Sequence, residues 1–264
     1  MGRDPGLEEA VRAAGGIGAL ARALGITQPS VSSWRQIPAA RVLEIEALTG
    51  ISRAVLRPDL YRPQTGAGDG DDIEAARSLQ YALLASLLLR APDTDTLARL
   101  SRLQGDPATP LGAAHVALAR AAAVASARSV KREYFDVFIG VGRGEVLPYA
   151  SYYLTGFLNE RPLARLRQDM KHLGLARSEG HGDPEDHLGT LCEIMSGFAA
   201  GRFEAPSGAQ DSFFAQHLAP WAGRFFADLE KAEAAKFYRP VGTLGRLFID
   251  IETEGFAMET RRSA

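Results

Sequence analysis

Apolar residues recur at helical spacing along most of the chain. In the stretch from Ile73 to Leu87, for example, they fall every three or four positions and share one side of a helix. No segment shows the sustained apolar and polar alternation of a half-buried strand. The pattern predicts an all-α fold, with roughly ten helices beyond residue 72.

The helical pattern is interrupted once by a stretch that has no large apolar residue. Gln64 to Asp72 reads QTGAGDGDD, a composition that buries too little surface to order itself. We therefore predict a small helical domain at 1–62, a flexible linker at 63–72, a larger helical domain at 73–258 and a tail at 259–264. Asp72 is the predicted cap of the first helix of the larger domain.

Short helices separated by glycine characterise the first domain. Leu20, Ala21 and Leu24 end one apolar stripe, Gly25 follows as a stop, and Thr27 is placed to cap the next helix. Two short helices joined at a glycine are typical of a helix-turn-helix.

The segment ALARALGITQPSVSSWRQ resembles the Cro/YdaS-like helix-turn-helix family, and the following PAARVLEIEALTGISRAVLRPDLY resembles the rest of that domain. The resemblance implies binding of double-stranded DNA through residues 1–62. Base edges would be read by Gln28, Ser32 and Ser33, and phosphates would be met by Arg35 and Arg41. The alternative is that these side chains form an ordinary solvated helix face.

The charge of the first domain favours only weak DNA binding. Residues 1–62 carry eight arginines and six carboxylates, a net charge of +2. Because affinity for DNA grows with the number of phosphates neutralised, a single copy would bind poorly. DNA binding would thus need a homodimer or an auxiliary partner.

A glycine-rich turn follows an aromatic helix in the centre of the chain. Glu133 to Tyr153 reads EYFDVFIGVGRGEVLPYASYY, in which three alternating glycines must end the helix. The order of helix first and glycines second is the reverse of a nucleotide-binding loop. From the pattern alone, an irregular surface loop between buried helices also explains this stretch.

The same stretch resembles the signature loop of the TorD family of molybdoenzyme maturation chaperones. Two further matches lie in the family's order, Glu185-Asp186-His187 and the run from His217 to Trp221 with Phe225-Phe226, so the resemblance covers about residues 73–258. It implies a chaperone, not an enzyme, that binds the twin-arginine signal peptide and the body of an apo-molybdoenzyme. Leu147 departs from the second proline of many members. For His217 and Trp221 we favour a helix boundary with a core tryptophan.

The resemblance implies that the Pro-Tyr-x-Ser-x-Tyr loop and the Asp-His pair bind the peptide. We expect an aromatic groove beside a helix that Asp183 caps and Pro184 begins, with Arg177 to Gly182 as a polar loop that can bend. The expected peptide-binding residues are Tyr134, Phe138, Tyr149, Ser151, Tyr153, Glu185, Asp186 and His187.

Composition adds mainly exclusions. Cys192 is the single cysteine, which rules out an internal disulfide and a multi-cysteine metal site. No two of the five histidines have the i, i+3 or i+4 spacing of metal ligands on a helix, and no nucleophile motif accompanies Asp186-His187. We expect no catalysis, metal or cofactor.

The sequence shows no apolar run long enough to span a bilayer and no signal core at its start, and its net charge is −2. We therefore expect a cytoplasmic protein. The client could be a formate dehydrogenase or an N- or S-oxide reductase. The alternative function is a transcriptional regulator that uses the TorD-like domain as a sensor or dimerisation module, and a cofactor-handling enzyme is a third, weaker class.

Overall fold

A computed structural model describes residues 4–58, 69–175 and 182–263, and the polar loop predicted at 177–182 falls almost entirely outside the described residues, as does most of the predicted linker. The described chain is helical with no strand, which confirms the all-α prediction. It divides into two compact units, Met1–Asp72 and Ile73–Ala264.

Between residues 4 and 58, the first unit has five short helices around one core. They are α1 (Pro5–Ala13), α2 (Ile17–Ala23), α3 (Gln28–Ser32), α4 (Val42–Thr49) and α5 (Arg53–Leu56), with a 3₁₀ turn at Ala39–Arg41. Asp4 caps α1 by accepting a hydrogen bond from the Gly6 N–H at 3.0 Å. A methyl group on Gly6 would lie 2.4 Å from the Leu56 carbonyl oxygen, so only glycine permits this approach of α1 to α5.

The turn between α2 and α3 has the expected form. Gly25 takes a left-handed conformation with φ of 64°, and the Ile26 N–H donates to the Ala21 carbonyl oxygen at 3.0 Å. Ala21 and Val31 are buried under this turn, and Trp34 packs against the same core. The short α3 is therefore held in place by its buried side.

The second unit is a bundle of longer helices. They are α6 (Asp69–Leu89), α7 (Thr94–Leu100), α8 (Pro110–Val124), α9 (Ala127–Tyr134), α10 (Ala150–Thr155), α11 (Arg161–His172), α12 (Leu188–Ala199), α13 (Ala209–His217), α14 (Ala222–Lys231) and α15 (Tyr238–Ser263). A π-helical turn, Phe135–Ile139, continues α9. Aromatic side chains dominate the core, and the largest fully buried ones are Trp221, Tyr81, Tyr238, Phe214, Phe225 and Phe226.

Helices α14 and α15 pack side by side through small residues. A methyl group on Gly245 of α15 would lie 2.1 Å from the Phe226 ring, and one on Gly242 would lie 2.8 Å from the Glu230 nitrogen. The glycines thus allow close contact between two helix backbones, which lets the aromatic side chains of α14 fill the core.

Three helix boundaries differ from the sequence expectation. Helix α6 begins at Asp69, so Asp72 lies inside it and does not cap it, and α15 runs to Ser263 through the predicted tail. Helix α12 begins at Leu188, whereas we predicted a cap at Asp183 and a start at Pro184. The preceding residues are drawn into pairing with another loop, which a local sequence pattern does not show.

No single helix among the described residues is long and apolar enough to cross a membrane, although Pro110–Val124 and Ala127–Ile139, bent by 115°, meet the length and composition criterion as a pair.

Candidate peptide-binding site

Two loops distant in sequence pair at the start of α10 and α12. Tyr149 and His187 form an isolated antiparallel bridge. The Ala150 N–H donates to the Asp186 carbonyl oxygen at 3.0 Å, and the Leu188 N–H donates to the Pro148 carbonyl oxygen at 2.8 Å. The Pro-Tyr-x-Ser-x-Tyr loop and the Asp-His pair, predicted to act together, are therefore in direct contact. We call the pairing of residues 148–151 with residues 186–188 the paired-loop joint.

The Asp186 carboxylate holds the beginning of α10. Its Oδ2 accepts the Ser151 N–H at 2.8 Å and also the Ser151 hydroxyl, and both residues are fully buried. A carboxylate at a helix N-terminus satisfies amide groups that the helix leaves unpaired. Asp186 is thus engaged inside the protein, and its Oδ1 finds no donor within the described part of the chain.

His187 caps α12. Its Nδ1 accepts the Gly189 N–H at 3.0 Å, and burial lowers the pKa of the imidazole from 6.5 to about 4. The nearby Asp183 opposes this shift only partly. The ring is therefore neutral at physiological pH, with Nδ1 as acceptor.

The Tyr149 side chain covers the solvent side of the joint. Its ring meets His187 edge-on at a centroid distance of 5.2 Å, and its hydroxyl donates to Asp183 Oδ1 at 3.0 Å. Burial and the neighbouring carboxylate of Asp183 raise the pKa of Tyr149. Half-buried Tyr134 donates its hydroxyl to the Leu88 carbonyl oxygen at 3.0 Å, and burial, then Asp183, raises its pKa to about 12.

The remaining expected residues point elsewhere. Tyr153 packs on Trp221 at 5.4 Å and donates to Asp228 Oδ2 at 2.9 Å. Phe138 is buried against Tyr134, Tyr238 and Phe225. Glu185 accepts two bonds from Arg167 of α11, at 2.8 and 2.9 Å. Of the eight expected residues, the three tyrosines are the ones that reach the surface, and each is half-buried.

A cleft of about 330 Å³ lies between the glycine-rich turn and α14. Its walls include the Tyr152 and Tyr153 rings and the carboxylates of Glu145, Asp228 and Glu233. The Arg143 guanidinium lies over the Tyr152 ring at 4.8 Å. The cleft is polar and charged, and Tyr152 and Tyr153 are its aromatic residues.

Two acidic residues of the signature stretch have roles that the sequence did not reveal. Glu133 accepts the N–H groups of Lys236 and Tyr238, each at 2.7 Å. Glu145 accepts those of Glu233 and Ala234, at 2.7 and 3.0 Å. Both carboxylates thus fix the connection between α14 and α15. Their partners lie about ninety to a hundred positions further along the chain, beyond any local pattern.

His217 and Trp221 occupy the structural position that we favoured. Trp221 is 1% exposed and donates its Nε1–H to the His217 carbonyl oxygen at 2.7 Å. His217 Nε2 lies 2.9 Å from Asp169 Oδ2, while burial, opposed by that carboxylate, lowers the pKa of the imidazole.

Four of the five expected DNA-binding residues lie on or just after α3 of the first unit, and Arg41 ends the 3₁₀ turn before α4. Gln28, Ser32, Ser33 and Arg35 are exposed. Arg41 is partly buried and pairs with Glu44 at 2.6 Å. An exposed pair of this kind is weak, so a phosphate can compete for the arginine.

No group of three or more histidine, cysteine, aspartate or glutamate side chains within 4–58, 69–175 and 182–263 is arranged to hold a metal ion.

The geometry defines a two-unit helical protein, with a helix-turn-helix in one unit and a paired-loop joint in the other. Comparison with known families agrees with this class. The family model described as nitrate reductase delta subunit matches residues 104–227, and the model described as bacterial toxin YdaS matches residues 7–65. The chain is thus similar to the nitrate reductase delta family over residues 104–227 and to the YdaS family over residues 7–65, which confirms the resemblance seen in the sequence.

Several similar proteins are named chaperones. Chaperone protein TorD of Aliivibrio fischeri is 26% identical over 137 residues, 48% of this chain and 64% of its own length. Chaperone protein YcdY of Escherichia coli is 29% identical over 117 residues, 44% of this chain and 59% of its own. The chain thus spans less than two thirds of these relatives.

A longer match exists with chaperone protein TorD of Shewanella loihica, 24% identical over 68% of this chain and 92% of that protein. The crystal structure of a candidate redox enzyme maturation protein from Archaeoglobus fulgidus matches with a TM-score of 0.45 and 19% identity, over 66% of this chain and 93% of its own.

Proposed function

We propose that this protein is a cytoplasmic chaperone that holds the twin-arginine signal peptide and the apo form of a molybdoenzyme until the molybdenum cofactor is inserted. The observation that carries the proposal is the similarity of its second unit to proteins named TorD and YcdY chaperones. The names of those relatives also favour a binding role over catalysis.

The proposed contact for the client is the surface around the paired loops. The buried members of the expected set, Ser151, Asp186, His187, Phe138 and Glu185, would act by holding this surface in shape. Tyr149 and Tyr153 would make contact through the exposed parts of their rings. Asp183 and Asp228, which hold their hydroxyl groups, are exposed and would attract basic groups of the client.

The proposal is tested by a pull-down with the full chain. The baits are signal peptides of the molybdoenzymes encoded in the same genome, fused to a fluorescent protein, with Arg-Arg to Gln-Gln versions as controls. We expect one or two baits to be retained, with a dissociation constant on the order of 1 μM, as suits a complex that must release its client. Retention of none would contradict the proposal.

The surface assignment is tested with Tyr149→Ala and Asp228→Asn, each expected to weaken retention several-fold. Val124→Ala is the matched control, because Val124 is 88% exposed at the end of α8. Equal retention by all three variants would remove the assignment and leave the chaperone proposal standing.

A second candidate function is transcriptional regulation, supported by the YdaS match over residues 7–65. The first unit would bind double-stranded DNA as a homodimer, with Gln28, Ser32 and Ser33 toward the bases and Arg35 and Arg41 toward phosphates. The client-binding unit would then act as a sensor or as the dimerisation module.

DNA binding is tested by a gel shift of the full chain on its own upstream region. Gln28→Ala should weaken the specific complex, while Arg35→Ala should weaken specific and non-specific complexes alike and lower the salt dependence. Absence of any shift at low salt would reject this function.

A further inference from the structure

A large apolar concavity of the second unit has a lining that includes none of the paired-loop residues. It is a groove of about 760 Å³ between α6, α8 and α15, with one wall from the loop after α7. We call it the α6/α15 groove. Its apolar lining comes from Ile73, Ala76, Leu79, Leu83, Leu103, Leu111, Phe248, Ile251 and Phe256.

Large apolar side chains stand exposed along this groove. Ile73 is 56% exposed, Leu79 72% and Ile251 49%, and they belong to two helices that face the same hollow. Exposed apolar groups gathered around one concavity are typical of a binding surface, whereas scattered ones need no explanation.

One lining residue of the groove also has a buried polar atom without a hydrogen-bond partner. His115 Nδ1–H donates to the Leu111 carbonyl oxygen at 2.9 Å, and its Nε2 lies 2.8 Å from Gln80 Oε1. The Gln80 Nε2 has no acceptor in the part of the chain that the structure describes. Turning the amide round would let its nitrogen donate to His115 Nε2 but would leave its oxygen without a donor instead. The Gln80 side chain, which is 91% buried, therefore keeps one unsatisfied polar atom behind the apolar lining of the groove.

Charge distinguishes the two ends of the groove. Among the lining residues at the end where α6 begins, the carboxylates Glu74 and Glu252 outnumber the one cation, Arg77. Arg77 is occupied by Glu252 at 2.7 Å and by Glu74, and Glu252 also accepts the Tyr81 hydroxyl at 2.7 Å. The other end, at Leu83 and Leu103, has no charged lining residue.

The length of the groove suits a short helix. Ile73 and Leu83 are ten residues apart on α6, which is about 15 Å at 1.5 Å per residue. A helix of about ten residues has the same length. The apolar region of a signal peptide has about 7–15 residues and is preceded by basic residues, so it fits this length. A helix laid in such a groove buries one apolar face along its length.

We propose that the α6/α15 groove binds the apolar helical stretch of the client's twin-arginine signal peptide, with the preceding basic residues at the acidic end beside Glu74 and Glu252. The inference rests on the proposed chaperone function and names where the apolar part of its ligand lies.

The test measures fluorescence anisotropy of a labelled twin-arginine signal peptide that the wild-type full chain retains. Leu79→Gln with Ile251→Gln should raise the dissociation constant about ten- to a hundredfold, because two apolar contacts are lost. Val124→Gln, an equally exposed apolar change elsewhere, should leave it unchanged. Glu74→Gln should raise it about two- to threefold and flatten its salt dependence. Circular dichroism checks that every variant is folded.

Three outcomes would overturn the inference. Unchanged affinity in the Leu79→Gln, Ile251→Gln chain would place the apolar stretch elsewhere while leaving the chaperone function intact. A wild-type dimer that this pair of changes converts to monomers, measured by light scattering, would show that a second copy covers the groove. No binding of any signal peptide by the wild type would remove the proposed function itself, and the inference with it.

Discussion

The paired-loop joint and the α6/α15 groove differ in which kinds of side chain they bury and which they expose. At the joint, Ser151, Asp186 and His187 are buried and bonded to one another's backbone or to neighbouring amides. At the groove, by contrast, large apolar side chains are exposed. The difference teaches that the most recognisable motif of the chain mainly holds the fold, while the surface suited to an apolar ligand is built from residues of no particular motif.

The contrast between the joint and the groove is tested most strongly by Asp186→Ala. This change leaves the buried N–H and hydroxyl of Ser151 without an acceptor, so we expect a loss of about 2–4 kcal/mol in the free energy of unfolding. Urea denaturation followed by circular dichroism measures it. Asp183→Asn, an exposed change beside it, should cost well under 1 kcal/mol. If Asp186→Ala kept full stability and lost only peptide binding, the joint would be a binding site after all.

A second test uses pH. The folded pKa of His187 is about 4, below the unfolded value of 6.5, so the unfolded chain takes up the proton first. Stability contributed by the neutral ring is therefore present above pH 6.5 and lost as pH falls toward 4, by about 3 kcal/mol in total.

The measurement compares unfolding free energies at pH 7 and pH 4.5 for the wild type and His187→Asn. Asparagine keeps a capping side chain but does not titrate. The difference between the two curves isolates His187 from His217, whose pKa is also lowered. Parallel curves would mean that His187 is not buried in the folded protein.

A smaller effect is expected from Tyr149→Phe. The change keeps the ring against His187 and removes only the bond to exposed Asp183, so the free energy of unfolding should fall by about 0.5–1 kcal/mol. Thermal melting of the variant beside the wild type checks this. A loss of stability as large as that of Asp186→Ala would show that the Tyr149 hydroxyl also holds the joint together.

The smallest effect on stability should come from the groove. Leu79 is 72% exposed, so Leu79→Gln should change the free energy of unfolding by less than about 0.5 kcal/mol. The same urea titration measures it. A loss above 1 kcal/mol would show that Leu79 supports the fold, and the contrast between joint and groove would lose its basis.

Local patterns in the sequence determined the helical class, the helix-turn-helix around Gly25 and the stretch from Glu133 to Tyr153, because helical periodicity and left-handed glycines act within a few residues. Resemblance to a family, and not a local pattern, predicted that Tyr149 and His187 belong to one site.

The tertiary structure alone decided which of those residues reach solvent. It drew Glu185 to His187 out of the predicted helix by pairing them with the loop at Pro148, and it set Glu133 and Glu145 on amides about ninety to a hundred residues away. The α6/α15 groove exists only because α6 and α15 face each other across 175 positions, where Arg77 meets Glu252. Contacts of that range depend on the packing of the whole bundle, and no short stretch of sequence encodes them.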